Sequence, residues 1–299
     1  MTINAHPELP EFDYIRPESL MEASRFLAQH TGEARPMLGG TDIFVRMRDG
    51  FWHDKYLVDV KNLDGSTGNI LFDPDTGLTI GAAANMNQVI ASPVIKETYP
   101  LLSEACRSVA SYQLRTRATI VGNLCNASPA GDTIGACLVF GGILNVHGVD
   151  GTRREPLSSF FLGPGKTILQ PGDIVTSVQF PLPPRGSAGA YIKLGRNKWS
   201  DLSIVGVTVL GYPDAANPSG YGFRISLASV APTPLQVTAV QEYLAVHAPG
   251  AEAFKQAGRQ AEAACSPIDD VRGSARYRKA MVRNLTEKAL ERVWQKIGE

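Results

Sequence analysis

Two segments, Pro36 to Asp42 (PMLGGTD) and Thr119 to Thr133 (TIVGNLCNASPAGDT), hold the residues best suited to chemistry. Each joins a short apolar run to a stretch dense in Gly, Asn, Ser and Thr. Glycine lets the main chain approach a ligand closely and adopt positive φ, so such loops offer backbone N–H groups and small hydroxyls to an anion. Gly39, Gly40, Thr41 and Asp42 do so in the first loop. Gly122, Asn123, Asn126, Ser128 and Thr133 are donors in the second, where Asp132 is an acceptor suited to ribose hydroxyls. Neither loop carries a nucleophile with a base, a helix-spaced carboxylate pair or a metal-ligand cluster. Alone, Gly39-Gly40 reads as a tight turn, and Ser128 or Asp132 as a helix cap. Two anion-binding loops together point to a ligand with a pyrophosphate in its middle, a dinucleotide. Leu38 to Ile43 lacks the third glycine of G-x-G-x-x-G, which disfavours a nicotinamide site of the Rossmann type.

Other reactive side chains are sparse. Lys193 and Asp201 lie in AYIKLGRNKWSDLS, where a lysine among apolar residues reads either as a solvated strand edge or as an ammonium beside a reduced flavin. Cys106, Cys125, Cys137 and Cys265 form no CxxC and match no zinc or iron–sulfur spacing, so they read as reduced, mostly buried thiols. Cys125 differs in lying inside the second loop. His6, His30, His53, His147 and His247 show no partner pattern and read as surface or loop residues.

The elements that position these residues are legible in outline. Pro17-Glu18-Ser19 opens a helix with Leu20, Ala23, Phe26 and Leu27 on one face, and Gly32 follows it. Residues 36–38 and 56–60 read as strands. Residues 69–72 and 78–82 flank Asp73-Pro74-Asp75-Thr76-Gly77, a hairpin turn. Residues 100–111 read as helix and 118–121 as a strand entering the second loop, with Pro129 opening a helix through Leu138. Strands follow at 142–147 and 174–180. The run from Pro181 to Gly186 is the best domain boundary, because dense prolines break ladders. Beyond it come strand-like runs at 190–194, 203–210 and 222–230, then helices. Met281, Leu285, Ala289, Val293 and Ile297 repeat every fourth residue on the last helix. This is an α+β pattern, with an antiparallel C-terminal sheet and helices on one side of it.

Composition removes whole classes of function. The 299 residues carry 29 Lys plus Arg against 29 Asp plus Glu, so the net charge is zero and nucleic acid has no electrostatic footprint. Apolar stretches fall well short of the ~20 residues that span a bilayer. The N-terminus has no charged start before an apolar core, which predicts no signal peptide and a cytoplasmic protein.

The two loops, FFLGPGKTILQPGDIVTSVQFP (160–181), KLGRNKWSDLSIVGV (193–207) and APTPLQ (231–236) together resemble the FAD-binding medium subunit of the molybdenum hydroxylases. That group includes xanthine dehydrogenase, carbon monoxide dehydrogenase, nicotinate dehydrogenase and aldehyde oxidoreductase. The stretches occur in the family's order over nearly the whole chain, and in detail look closest to bacterial xanthine-dehydrogenase-like subunits. The resemblance implies a two-subdomain FAD-binding domain of the vanillyl-alcohol-oxidase (PCMH) type over 1–181, split into about 1–62 and 63–181. It also implies a small C-terminal domain over 187–299, like that of the carbon monoxide dehydrogenase flavoprotein, with a three-stranded antiparallel sheet and helices.

By the same resemblance Pro36, Met37, Leu38, Gly39, Gly40, Thr41, Asp42 and Ile43 wrap the FAD pyrophosphate. Gly122, Asn123, Cys125, Asn126 and Asp132 hold the pyrophosphate and the ribitol or ribose from the other side, with Ala118 and Thr119 bordering the groove. Val175 packs near the adenine, and Lys193 sits by the pyrimidine edge of the flavin. Lys166 also has a family counterpart. Three positions depart from the pattern: Leu38 stands where Ala is common, Val121 where a Gly is common, and Val109 where some relatives have an aromatic ring over the adenine. Valine disfavours φ > 0, which puts the Val121 N–H contact in question. No cysteine-bearing insertion lies between 126 and 160, so no iron–sulfur cluster and no metal are expected in this chain, nor a catalytic acid, base or nucleophile.

The implied complex is a heterotrimer, or a dimer of heterotrimers. A large subunit carries a molybdenum–pterin cofactor and a small subunit carries two [2Fe-2S] clusters. This chain passes their electrons to NAD+, oxygen or another acceptor. The alternatives are a stand-alone FAD-dependent oxidase or reductase of the same fold, and a flavin-free scaffold subunit.

Overall fold

A computed structural model describes residues 8–63, 67–197 and 201–298. His6, and Lys198, Trp199 and Ser200 of the Lys193-containing stretch, lie outside them. The first unit alternates strand and helix: β1 (Asp13–Ile15), α1 (Leu20–Gln29), β2 (Ala34–Met37), α2 (Ile43–Arg48) and β3 (Tyr56–Asp59). The three strands are parallel in the order β1-β3-β2, which obliges the chain to cross over through a helix each time. Ser19 caps α1 by accepting from the Glu22 N–H, and Ala23 and Leu27 face the sheet, as the sequence pattern predicts. The strand reaches back to Ala34, two residues before its expected start, and Asp13 to Ile15 was missed because three residues carry too little pattern.

The second unit is an antiparallel sheet interrupted by a helical insertion. β4 (Ile70–Asp73) and β5 (Gly77–Gly81) form the expected hairpin, in which Asp73 Oδ1 accepts from the N–H groups of Asp75 and Thr76. The insertion comprises α3 (Met86–Ala91), α4 (Pro93–Thr98), α5 (Pro100–Arg107), α6 (Tyr112–Arg115), α7 (Ile120–Asn126) and α8 (Ile134–Val139). The chain then returns through β6 (Ile143–Gly148), β7 (Gly151–Pro156), the small pair β8 (Phe161–Gly163) and β9 (Lys166–Thr167), and β10 (Ile174–Phe180), giving a five-stranded order β4-β5-β10-β6-β7. A bulge between Val175 and Ser177 resets the alternation of β10. Ile174 and Val175 are therefore both buried, where strict alternation would bury one.

The C-terminal unit consists of β11 (Ala188–Leu194), β12 (Val205–Pro213), β13 (Tyr221–Ala228) and β14 (Leu235–Gln236), followed by α9 (Thr238–Val246), α10 (Ala251–Ala264) and α11 (Ala275–Gly298). The three expected strands are present, with a two-residue fourth at the edge of the antiparallel sheet. The C-terminal helices lie on one side of this sheet, as expected, but its other side is not open. α9, α10 and α11 cover one face while α8 of the preceding unit covers the other, so β12 reads as a continuous apolar run. Gly135 on α8 lies so close to β12 that a Cβ there would sit 2.3 Å from Thr208 Oγ1. The stripe on α11 also differs from the four-residue repeat. Val282, Thr286, Ala289, Leu290 and Val293 are buried, whereas Met281, Leu285 and Ile297 flank them. A repeat of four drifts around a helix of 3.6 residues per turn, so it cannot stay on one face.

Candidate functional site

The two predicted loops meet. Gly39 packs against the backbone that leads into the second segment, and a Cβ there would lie 2.1 Å from the Arg117 carbonyl oxygen. Gly40 has φ +73°, the left-handed region that glycine adopts freely. Asn126 Nδ2 donates to Asp42 Oδ1 at 3.1 Å, a direct bond between the loops. None of the backbone N–H groups from Leu38 to Ile43 donates to a protein acceptor among the described residues. A run of unpaired N–H groups on a Gly-Gly turn leading into a helix is an anion-binding concavity.

The second segment is built differently from its expected form. Residues 118–121 are a helix start, not a strand: Thr119 is the N-cap of α7, and its hydroxyl accepts from the Gly122 N–H at 2.9 Å. Neither Ser128 nor Asp132 caps the helix that follows: the N-cap of α8 is Thr133, without a side-chain cap bond, and Ser128 Oγ accepts from the Ala130 N–H at 3.3 Å. Val121 is the second residue of α7 and has no positive φ, so its valine is compatible with the backbone. Ala127 closes the helix in the left-handed conformation, and Gly165 N donates to its carbonyl at 3.0 Å. Thr133 Oγ1 donates to Asn123 Oδ1 at 2.7 Å, which fixes the Asn123 amide.

Between the loops lies a cavity of about 250 Å³. Of the residues expected to bind FAD, Pro36, Leu38, Gly39, Gly40, Thr41, Asp42 and Ile43 line it from the first loop. Ala118, Thr119, Gly122, Asn123, Cys125 and Asn126 line it from the second, and Val175 from β10. Met37, Asp132 and Lys193 do not line it. Met37 points the other way, into the cluster with Ile43, Met47 and Leu57 beneath the loop. Asp132 and Lys193 are paired with each other: Lys193 Nζ donates to Asp132 Oδ2 at 2.7 Å, and Tyr191 Oη donates to Oδ1 at 2.7 Å. Burial raises the Asp132 pKa, opposed by the Lys193 charge and by both hydrogen bonds. This carboxylate anchors the loop to β11. Lys166 is exposed on β9 and also lies off the cavity.

Sequence reasoning missed much of the apolar lining of the cavity, namely Val60, Met86, Leu114, Leu169 and Ile174. These come from separate elements, so no local pattern marks them. It also missed Arg35, which pairs with Asp54 at 2.7 Å and stacks on Trp52, its guanidinium carbon 3.6 Å from the ring centroid. Asp173, at the cavity edge, accepts from both Arg153 Nη atoms at 2.8 and 2.6 Å.

The remaining reactive side chains are quiet. Cys106, Cys137 and Cys265 are buried, and Cys125 is half-buried on the cavity wall. Burial pushes the Cys125 thiol up to about 12, far from a reactive thiolate. His30 and His147 are half-buried and thus more than surface residues, with His30 stacked on Phe26. Among the described residues no group of three His, Cys, Asp or Glu is placed to hold a metal ion. Nor is any described helix long and apolar enough to cross a membrane.

Comparison with known proteins identifies the family and the fold. Residues 10–183 match the family model described as the FAD binding domain in molybdopterin dehydrogenase. Residues 190–293 match the carbon monoxide dehydrogenase flavoprotein C-terminal domain. The chain is 30% identical to the carbon monoxide dehydrogenase medium chain of Hydrogenophaga pseudoflava, over 95% of this chain and 98% of that one. It is 28% identical to a putative xanthine dehydrogenase FAD-binding subunit of Escherichia coli, over 93% and 94%. These values give the xanthine-type subunits no advantage. A solved structure of the Hydrogenophaga pseudoflava carbon monoxide dehydrogenase, lacking the Mo-pyranopterin moiety of its cofactor, superimposes with a TM-score of 0.91, covering 97% of this chain and 99% of that one at 30% identity.

Proposed function

This chain belongs to the family of FAD-binding subunits of molybdopterin dehydrogenases, and we propose that its loop-lined cavity holds FAD for electron transfer within a larger complex. It is an oxidoreductase subunit of the medium type. The observation that carries the site is the unpaired row of N–H groups from Leu38 to Ile43, facing Thr119, Asn123 and Asn126 across the cavity. That row fits a pyrophosphate, whose oxygens accept from several donors at once. The apolar lining that includes Val109, Leu114 and Val175 fits a flat ring system, and the family resemblance puts the adenine near Val109 and Val175.

Bound FAD supplies acceptance of electrons singly and their release in pairs. The chain's own residues bind and orient it. Gly39 and Gly40 let the backbone reach the phosphates, and Thr119 holds the second loop in helical form. The Asp132–Lys193–Tyr191 contact ties that loop to the C-terminal sheet, and this contact is how Lys193 serves the site. The partners are a large subunit with a molybdenum–pterin cofactor and a small subunit with two [2Fe-2S] clusters. The acceptor is NAD+ or another two-electron oxidant. The domain limits that go with this reading are 1–181 and 187–299.

The test is the purified chain's flavin and its partners. Absorbance near ~450 nm that survives gel filtration is expected, along with co-purification with molybdenum- and iron-containing chains. A colourless protein that takes up no added FAD overturns the reading. A yellow protein that oxidises a small organic donor unaided replaces it with a stand-alone oxidase.

A further inference from the structure

The turn between α5 and α6 is held in an unusual way. α5 ends at Arg107, so the carbonyls that follow have no helical partners. Arg115, the last residue of α6, turns back onto them. Its Nη1 donates to Val109 O at 2.7 Å, Ala110 O at 3.0 Å and Arg107 O at 3.2 Å. The carbonyl left between them, Ser108 O, accepts from Lys193 Nζ at 3.0 Å. Four consecutive carbonyls, 107 to 110, are thus each taken by one of two cationic side chains. Ala110 sits at φ +39°, a conformation that a non-glycine residue holds only when its surroundings impose it. Val109 on this turn and Leu114 beside Arg115 both face the cavity.

We propose that Arg115 is a positioning residue for the cofactor: its guanidinium fixes the 107–110 turn and so places Val109 and Leu114 as the wall against which one ring system of FAD packs. The proposal rests on the reading that this cavity binds FAD. The two N–H groups of Nη1 are shared among the three carbonyls while Nε reaches Asn87 Oδ1 at 3.4 Å, so one guanidinium gathers the turn and ties it to α3. Lys193 closes the set from the C-terminal sheet, so the wall is braced from two sides. Arg115 touches no cofactor atom in this account. It acts through the backbone that it holds.

The test uses flavin-depleted full-length protein, titrated separately with FAD, FMN and ADP. Arg115→Met is expected to weaken FAD by about tenfold or more. ADP should weaken in parallel, while FMN changes by less than about twofold. Arg115→Lys, which keeps the charge but not the fork, should fall between wild type and Arg115→Met, and it carries the same comparison if Arg115→Met does not fold. Equal weakening of both fragments, or no change in FAD, overturns the proposal. A loss confined to FMN keeps Arg115 as a positioning residue but reverses the cofactor's orientation in the cavity. Wild-type protein that binds no FAD overturns the underlying reading instead.

Discussion

At Gly39 a single hydrogen in place of a methyl decides whether the two loops can touch. A Cβ would sit 2.1 Å from the Arg117 carbonyl, which is backbone and cannot swing aside. Gly39→Ala should therefore push the loops apart and reduce FAD retention by about tenfold or more, read as flavin per protein after gel filtration. Gly122→Ala is the instructive contrast. Its Cβ would meet only Thr119 Oγ1, at 2.9 Å, and a hydroxyl can rotate away. That change should weaken the α7 cap by about 1 kcal/mol and leave most flavin bound. Equal losses in the two variants would mean that the site senses any bulk near it, not the contact between loops. Gly40 adds a third kind of constraint, since its φ of +73° is strained for any side chain and its Cβ would lie 2.9 Å from the Phe44 ring. Gly40→Val should abolish flavin retention, and wild-type flavin content in that variant would remove the first loop from the site.

Among the elements, those with a local signature were legible and those defined by their neighbours were not. The capped helix α1 and the hairpin β4–β5 carry their own signals in Ser19 and in the Asp73 turn, and both form where the sequence places them. Thr119-Ile120-Val121 reads as a strand because β-branched residues favour one, yet Thr119 caps a helix there and tertiary packing overrides the propensity. The glycine loops are legible from residue type alone, and the structure brings both to one cavity. The apolar lining is not legible in that way, because Val60, Met86, Leu114 and Leu169 converge only after folding. Asp132 shows the same limit in another form. Its type suits a ribose, but only the fold reveals that Tyr191 and Lys193 occupy both oxygens. This contact joins β11 to the segment before α8, and it is the element-scale device that can be tested. Asp132→Asn leaves the Lys193 ammonium, 15% exposed, without its counter-charge, at a cost of about 3 kcal/mol. Tyr191→Phe removes one hydrogen bond to the carboxylate and should cost about 1.5 kcal/mol. Chemical denaturation monitored by tryptophan and by flavin fluorescence should show both variants releasing flavin before the C-terminal sheet melts. Coincident transitions in Asp132→Asn would argue that the contact only stabilises the fold.

Across the whole molecule, the C-terminal unit acts as the buttress of the second loop, and its own stability has an acid-sensitive centre. Arg278 is 2% exposed and donates to Ile204 O at 2.9 Å and Ser229 O at 2.8 Å, so it stitches α11 to the ends of β12 and β13. Those ends reach directly into the loop: Ser229 N donates to Pro129 O at 2.7 Å, and Ser203 Oγ to Ala130 O at 3.3 Å. The counter-charge is Asp270, which lies 2.6 Å from Arg278 and 2.8 Å from Arg272. Burial alone would raise its pKa, but the Arg272 N–H, the Arg272 guanidinium and Arg278 outweigh it and hold the group at about 2. A carboxyl depressed in the folded state binds fewer protons there than in the unfolded chain. Its contribution is therefore complete above the ordinary value of 3.8 and drains away as pH falls toward about 2. The shift corresponds to about 2 kcal/mol at neutral pH. Thermal unfolding measured from about pH 6 down to about pH 2 should show wild-type Tm falling through that window, with flavin released in step because the buttress and the loop share these bonds. Asp270→Asn should begin lower at neutral pH and lose that part of the acid slope. If the variant and the wild type fall in parallel, Asp270 is not the acid-sensitive centre, and flavin release on acidification must originate in the cavity itself.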